Sequence, residues 1–172
     1  MIRRFLILCL SIAVAGCATY APSVPAGYTG PRAQLDDSAQ TQSGSRADFF
    51  VVEQLDGAGV DNSLNETVRR NQGRGMSMTP YFISRPLIAE KPIKVSIRGR
   101  THYAAPIQEL TGTVYQVKGI VEFTPKANGR YAVVGELSES KSAVWIEDAE
   151  THQMVGQKVE VVGSARLGLF EK

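Results

Sequence analysis

The sequence predicts an all-β protein, an antiparallel β-sandwich of about seven short strands. One observation is the regular alternation of apolar and polar side chains from Ile93 to Arg98, the two-residue period of a strand with one buried face. A second is the series of β-branched and aromatic runs in the last third of the chain, separated by Gly, Pro, Asn and Ser. Little of the chain has a helical period. Such a pattern is typical of a sandwich or a barrel.

The strands are predicted in order along the chain. The first covers 48–55, and 76–83 is expected to be extended at a sheet edge or bulge because it contains Pro80. Further strands are predicted at 93–98, 115–124, 131–137, 142–147 and 158–162. Residues 101–111 are interpreted as a crossing loop, and Asn128-Gly129 predicts a hairpin. Residues 63–71 begin with capping-box spacing and predict a short helix, with an irregular loop as the alternative.

The first sixteen residues have the composition of an export signal. Arg3 and Arg4 precede an apolar run that, at about ten residues, is too short to span a bilayer. At the end of this run, the four residues Val14-Ala15-Gly16-Cys17 resemble the lipobox of bacterial lipoproteins. In that family the cysteine sulfur receives a diacylglycerol, the preceding peptide bond is cut and the new amino terminus is acylated. The alternative is an ordinary signal peptide, which leaves Cys17 as a free thiol.

The resemblance implies that Cys17 begins the mature chain and carries three acyl chains. Attachment to the membrane would be firm, because each buried methylene contributes about 0.8 kcal/mol to the free energy of membrane binding. A single acyl chain binds only marginally, whereas three bind strongly. Ala18 rather than Asp follows the cysteine, which by the sorting pattern of the family implies the outer membrane and a domain facing the periplasm. Cys9 lies in the discarded segment, so no thiol remains for a disulfide or a nucleophile.

The segment after Cys17 is rich in Ala, Pro, Ser, Gly, Thr and Gln up to Arg46. Such a composition buries too little apolar surface to offset the entropy cost of ordering. We therefore predict a signal peptide over 1–16, a lipidated cysteine with a disordered, flexible tether over 17–46, and one sandwich domain over 47–172. A flexible coil of this length reaches on the order of 30 Å.

One hairpin bears on the kind of sandwich. The stretch from Val144 to Val155 resembles the strand, D-x-x-T-G turn and strand of transthyretin-like and carboxypeptidase-regulatory-like domains. Asp148 and Thr151 occupy matching positions, and His152 stands where those domains have glycine. The resemblance implies a sandwich of the transthyretin or immunoglobulin kind. Over the whole domain the chain is similar to an uncharacterised family of proteobacterial lipoproteins, a resemblance that implies no activity.

The residues do not form a recognisable catalytic motif. His102 and His152 stand in no nucleophile, zinc or phosphate-loop motif, and we expect each to be exposed or hydrogen-bonded, with a histidine metal pair as the alternative. The acidic residues Glu147, Asp148 and Glu150 are expected to form a solvated turn rather than a calcium site. The sequence therefore predicts a protein that is not an enzyme and holds no metal and no cofactor.

Positive charge is concentrated between Arg69 and Arg100. Against a single acid, Glu90, this segment contains Arg69, Arg70, Arg74, Arg85, Lys91, Lys94, Arg98 and Arg100. Guanidinium groups set among glycines can bind phosphates or carboxylates in a two-pronged geometry. The segment therefore predicts an anionic-partner site formed by Arg69, Arg70, Arg74, Arg98 and Arg100. The alternative is that these cations form the wet faces of strands and pair with acids elsewhere.

These observations lead to three functional hypotheses. The first is a non-enzymatic interaction or structural module, attached to the membrane through Cys17 and bound to another envelope protein. The second is a binding module for an anionic envelope glycolipid or glycan. The third is a hydrolytic enzyme with a cleft lined by Tyr115, Tyr131 and Trp145. Nucleic acid is not expected as a partner, because the protein is exported and the mature chain carries 17 residues of each charge sign.

Overall fold

The computed structural model describes Tyr20 and residues 22–172, so the export signal and the lipobox lie outside the described residues. The described part contains ten strands and two helices. In chain order these are β1 (Arg32–Asp36), β2 (Ser38–Ser43), β3 (Arg46–Leu55), β4 (Ala58–Gly59), α1 (Ser63–Arg70), β5 (Ser84–Ile88), β6 (Ile93–Tyr103), α2 (Pro106–Thr111), β7 (Gln116–Phe123), β8 (Arg130–Leu137), β9 (Lys141–Asp148) and β10 (Met154–Val162).

These strands form two sheets, which confirms the predicted all-β fold. Sheet A has the strand order β10-β9-β8-β1-β5, and sheet B has the order β2-β3-β6-β7 with the short β4 paired to β3. All pairs are antiparallel except β1 and β8, which run parallel with Leu35 opposite Tyr131. One apolar cluster fills the space between the sheets, and its fully buried members include Leu35, Phe50, Ile97, Val121 and Ile146.

The prediction that the flexible tether runs to Arg46 is wrong, because residues 32–43 form β1 and β2. Strand β1 lies inside sheet A between β8 and β5, and its two inward residues, Ala33 and Leu35, are buried. Two apolar residues among polar neighbours leave only a weak two-residue period in the sequence. The domain therefore begins at least fifteen positions earlier than its predicted boundary at residue 47.

Two other segments differ from their predicted structure. No strand forms over 76–83, and the edge strand β5 begins at Ser84 instead. Pro86 is tolerated in this edge strand because a backbone N–H on its outer side would have no neighbouring strand to bind. The predicted crossing loop at 101–111 is partly regular, since β6 continues to Tyr103 and α2 starts at Pro106. Proline is favoured at the first position of a helix because its missing N–H would have no partner there.

The hairpin predicted at Asn128-Gly129 is wrong, although the turn itself forms. Asn128 has the left-handed φ of 60° that this dipeptide favours. The strands on either side belong to different sheets, with β7 in sheet B and β8 in sheet A. A tight turn therefore carries the chain from one sheet to the other, because local turn chemistry does not determine which strands pair.

The short helix predicted near residues 63–71 is confirmed as α1. Its N-cap is Asn62, whose side chain accepts a hydrogen bond from the N–H of Asn65 at 3.0 Å. Ser63, which the capping-box spacing makes the cap, instead accepts a bond from the N–H of Ile83 at 2.8 Å. The helix is thus tied at its start to the chain segment that leads into β5.

The chain passes from sheet A to sheet B at Asp37, the single residue between β1 and β2. The carboxylate of Asp37 is fully buried and accepts two hydrogen bonds from the Arg85 guanidinium, at 2.7 and 2.9 Å. It also accepts the backbone N–H groups of Val52 at 3.0 Å and Ser63 at 2.8 Å. One carboxylate therefore joins β3, α1 and β5 at the point where the chain changes sheets.

We expect Asp37→Asn to lower the free energy of unfolding by about 3–5 kcal/mol, because it leaves the buried Arg85 charge without its partner. Urea unfolding followed by the fluorescence of Trp145, the single tryptophan, measures this. The matched control is Asp36→Asn at the neighbouring position, whose carboxylate is partly exposed and lies 3.9 Å from Arg130. The Asp36→Asn change should lower the free energy of unfolding by less than about 1 kcal/mol. Equal losses in the two variants would contradict the role given to Asp37.

Candidate functional site

The outer face of sheet B is partly covered by helix α1 and the loop that follows it. Leu64 of α1 and Met78 of the loop form a second apolar cluster with three side chains of β3: Ala47, Phe49 and Val51. Helix α2 contacts the end of β6 on the same sheet. An open depression is left between these two coverings.

We call this depression the helix groove. Its volume is about 850 Å³, and it is bounded by α1 with residues 71–78 on one side and by the end of β6 with α2 on the other. Its apolar lining includes Leu64, Val68, Met78, Ala104 and Leu110. Ligand pockets in proteins typically measure about 300–1,000 Å³. The helix groove is therefore large enough to hold a ligand or a peptide segment.

One end of the helix groove carries a charged cluster. Glu109, in the first turn of α2, accepts a hydrogen bond from the Arg100 guanidinium at 2.8 Å. Its other carboxylate oxygen lies 3.1 Å from Nδ1 of His102. Arg100 and His102 share the outer face of β6, opposite Phe49 and Ala47 in the strand register. Helix α2 thus turns its acid back onto the strand that precedes it.

The charge of Glu109 is stabilised by its partners. Burial raises the pKa of this carboxyl, but the hydrogen bonds from His102 and Arg100, with the positive charge of Arg100, outweigh the burial, so the pKa is lowered overall. The ring of Phe49 packs edge-on against the His102 imidazole, with 6.4 Å between their centroids. Glu109 is therefore ionised at neutral pH and holds His102 in one orientation.

The hydroxyl groups along the helix groove are used in internal hydrogen bonds. Thr67 Oγ1 accepts the N–H of Tyr81 at 2.9 Å, and the Tyr103 hydroxyl donates to the carbonyl of Thr113 at 3.1 Å. A held histidine acts as a catalytic base only when a nucleophile or substrate proton lies within hydrogen-bond reach. The arrangement is better suited to binding, with a mostly apolar surface and one polar end.

The structure distributes the five predicted arginines over separate places. Arg69 and Arg70, in the last turn of α1, both bind Glu66, and hydrogen bonds from the two guanidinium groups lower the pKa of that carboxyl. Arg70 also lies over the ring of Tyr81, 4.7 Å from its centroid. These contacts hold the two arginines along the helix surface.

The other three arginines have different partners. Arg74, in the loop after α1, donates to the side-chain carbonyl of Asn71 at 3.1 Å. Arg98 lies 3.1 Å from Glu53 on the neighbouring strand, and burial lowers its pKa. Of the five, only Arg100 lines the helix groove. The five arginines are therefore close in the sequence but do not form a single cluster in the fold.

The acidic residues around His152 form an exposed turn between β9 and β10. The Asp148 carboxylate accepts the N–H groups of Thr151 at 2.9 Å and Glu150 at 3.0 Å, and these bonds lower its pKa. His152 has the left-handed φ of 56° at the position where the similar hairpins have glycine. Its side chain is 75% exposed and lies 3.0 Å from Glu147. The carboxylate of Asp148 thus closes the turn.

The three aromatic residues of the enzyme hypothesis make separate contacts. Tyr131 is buried in the core, 5.1 Å from the ring of Phe123. Trp145 points to the outer face of sheet A, because its neighbours in β9 point inward, and the Lys158 ammonium lies 4.4 Å from its ring centroid. The Tyr115 hydroxyl donates a hydrogen bond to a carboxylate on the turn between β8 and β9.

The helix groove was not foreseen from the sequence. Arg100, His102 and Glu109 are close in the chain, but interpreting 101–111 as a loop gave no reason for Glu109 to return to β6. The available signal was Pro106 at the start of α2, since proline is common at the first position of a helix.

Comparison with protein-family models, with curated proteins and with solved structures finds no match to this chain. Across Tyr20 and residues 22–172, no three His, Cys, Asp or Glu side chains are grouped so that they could hold a metal ion. Within the same residues, no helix is both long and apolar enough to cross a membrane.

We expect the Glu109 cluster to stabilise the fold in a pH-dependent way. Because the pKa of Glu109 is lowered in the folded protein, its contribution is present above the carboxyl's ordinary pKa and is lost as the pH falls through the folded value. Wild type should therefore unfold at a higher urea concentration than Glu109→Gln at neutral pH. The difference between their unfolding midpoints should become smaller at about pH 3.

The control for this measurement is Glu122→Gln, which changes an exposed carboxylate on β7 outside the helix groove. The unfolding midpoint of this variant should differ little from that of wild type at both pH values, because exposed charges usually contribute little to stability. A gap between wild type and Glu109→Gln that stays constant with pH would contradict a stabilising role for the ionised carboxylate.

Proposed function

We propose that the protein is a lipid-anchored protein of the cell envelope whose β-sandwich serves as a non-enzymatic interaction module. In this proposal the helix groove binds an apolar segment of a partner envelope protein. The observation that carries the proposal is the helix groove itself, a volume of about 850 Å³ that is open to solvent and whose surface is mainly apolar. Exposed apolar surface of this kind is typical of protein interaction sites.

The two walls of the helix groove present apolar side chains to solvent. Val68 of α1 is 41% exposed and Leu110 of α2 is 48% exposed. A partner that covers them removes apolar surface from water, and this burial contributes about 25 cal/mol per Å² to the free energy of binding. Helices and extended peptides commonly bind in grooves between such walls, with apolar side chains as anchors.

The charged end of the helix groove favours a polypeptide over an anionic lipid or glycan. Arg100 and Glu109 neutralise each other, and their side chains are only 15% and 16% exposed. The Lys172 ammonium at the edge donates to the carbonyls of Leu110 and Gly112. A phosphate would have to compete with Glu109 for Arg100. The peptide groups of a protein segment could bond to this mixed end without displacing the pair.

The membrane attachment in this proposal comes from the resemblance of Val14-Ala15-Gly16-Cys17 to a lipobox. Acyl chains on Cys17 would hold the domain at the membrane. Ala18 after the cysteine supports, by the same resemblance, a location at the outer membrane with the domain in the periplasm. The partner is then a periplasmic or membrane-attached protein.

A second candidate is binding of an anionic glycolipid or glycan at the end of α1. Arg69 and Arg70 have side chains that are 68% and 52% exposed, and they share a single carboxylate, Glu66. The last turn of α1 therefore keeps a net positive charge, and Arg74 in the next loop adds to it. Exposed guanidinium groups bind phosphate oxygens well.

Site-specific photo-crosslinking in intact cells separates these two candidates. A benzoylphenylalanine at position 110 places the probe in the helix groove, and the same probe at position 120 is the control. Ile120 is 59% exposed on β7, outside the groove. We expect a discrete protein adduct from the probe at Leu110 and none at Ile120. The adduct should persist when Arg69, Arg70 and Arg74 are replaced by Ser.

Two results would contradict the groove as the docking site. One is equal cross-linking from positions 110 and 120, which would mean that the probe only reports random encounters. The other is an adduct that consists of lipid or glycan and is lost in the Arg69/Arg70/Arg74 variant. That second result would favour the anionic ligand at the end of α1 instead.

A further inference from the structure

A short turn beside the helix groove holds two apolar side chains in solvent. Two hydrogen bonds close this turn: the N–H of Glu171 donates to the carbonyl of Gly168 at 3.1 Å, and the Glu171 carboxylate accepts the N–H of Gly168 at 2.7 Å. Leu169 and Phe170 lie between them and are 57% and 100% exposed. We call residues 168–171 the apolar turn. It projects two large apolar side chains from the surface of the domain.

The apolar turn is held next to one wall of the helix groove. Before the turn, Leu167 donates its N–H to the carbonyl of Val114 at 2.8 Å. After the turn, Lys172 lines the groove and donates to the carbonyl of Leu110 on α2 at 3.1 Å. Phe170 precedes Lys172 by two residues, so their Cα atoms are at most about 7 Å apart. The projection and the groove therefore lie on the same surface.

The apolar turn does not fill the groove of its own chain. Its bonds on both sides hold Phe170 in solvent, and the groove of about 850 Å³ is open. To enter this groove, Phe170 would have to release the bond of Lys172 to α2 or that of Leu167 to Val114. A second copy of the chain can bring its apolar turn to the groove with both bonds intact.

A surface that carries a projection and a groove side by side is self-complementary under two-fold symmetry. When two copies face each other, the apolar turn of each copy can enter the groove of the other. Leu169 and Phe170 then lie against the exposed Val68 and Leu110 of the facing copy. Because both contacts form around one axis, the assembly closes as a pair and does not grow into a chain.

The size of this contact predicts a transient pair. A buried aromatic side chain removes about 150–250 Å² of surface from water. With Leu169, the groove walls that the turn covers and the reciprocal contact, the pair buries on the order of 1,000 Å². Stable complexes usually bury about 1,200–2,000 Å², and smaller interfaces are typical of transient ones. An apolar segment of another protein can therefore displace the second copy.

We propose that a second copy of this chain occupies the helix groove while the groove has no other partner, through reciprocal insertion of Leu169 and Phe170. The proposal rests on the proposed function, because it requires that the groove binds apolar protein segments. It adds regulation of that site: a partner protein has to compete with the apolar turn of the second copy.

Two differently tagged copies of the full chain, expressed in the same cells, test this exchange. A benzoylphenylalanine at position 170 of one copy places the probe at the tip of the apolar turn. We expect an adduct that contains both tags, with the cross-link in Leu64, Val68 or Leu110 of the second copy. The matched control is the same probe at Phe82, another exposed phenylalanine, which lies outside the groove lining. Its yield of mixed adduct should be several-fold lower.

A change in the second copy alone tests whether the groove receives the turn. Val68→Arg places a charge in the apolar wall and should lower the yield of the mixed adduct several-fold. Val162→Arg, at an exposed position of β10, is the control and should leave the yield unchanged. Absence of a mixed adduct, an adduct that maps outside the groove, or a yield that Val68→Arg does not change would overturn the proposal.

The probe at Leu110 separates failure of this proposal from failure of the proposed function. Phe170→Ser should remove the mixed adduct from position 110 and raise the yield of the adduct with the partner protein several-fold. Phe82→Ser should leave both yields unchanged. If position 110 captures a partner protein and position 170 gives no mixed adduct, the exchange is wrong and the proposed function stands. If neither position gives a protein adduct, both are wrong.

Discussion

The buried ion pair between Asp37 and Arg85 is the interaction on which the rest of the fold depends. Burying two charges is costly, and the cost is offset only when their hydrogen-bonding groups are well satisfied. Asp37 meets this condition with two bonds from Arg85 and one each from the N–H groups of Val52 and Ser63. The chain can therefore leave sheet A and enter sheet B across a single residue, and α1 starts at the same carboxylate.

The position of α1 in turn produces the helix groove. Leu64 packs on the outer face of sheet B, so α1 covers part of that face and α2 covers the end of β6. Within Tyr20 and residues 22–172, no other element fills the space between the helices, and its apolar walls are open. Glu109 holds Arg100 and His102 at one end of this space. The proposed docking site is thus a consequence of where the two helices can pack.

The sequence predicts what depends on local patterns. The alternation in β6 and the start signal of α1 are local, and both elements form at the predicted places, although β6 continues to Tyr103 and the N-cap of α1 is Asn62 rather than Ser63. Strand β1 was missed because its stability comes from two distant strands, and the Asp37–Arg85 pair joins residues 48 positions apart. The run of arginines predicted an anionic site, but a charge pattern does not reveal partners. Arg100 pairs with Glu109 only because α2 folds back onto the end of β6.

Hydrogen exchange at two backbone amides tests most directly whether the Asp37 carboxylate organises the fold. The N–H groups of Val52 and Ser63 donate to it rather than to another backbone group. If the fold depends on this carboxylate, both amides should exchange as slowly as those of the core strands, through unfolding of the whole domain. Exchange of the Ser63 amide at the rate of an exposed loop would show that α1 opens independently, and would contradict the account.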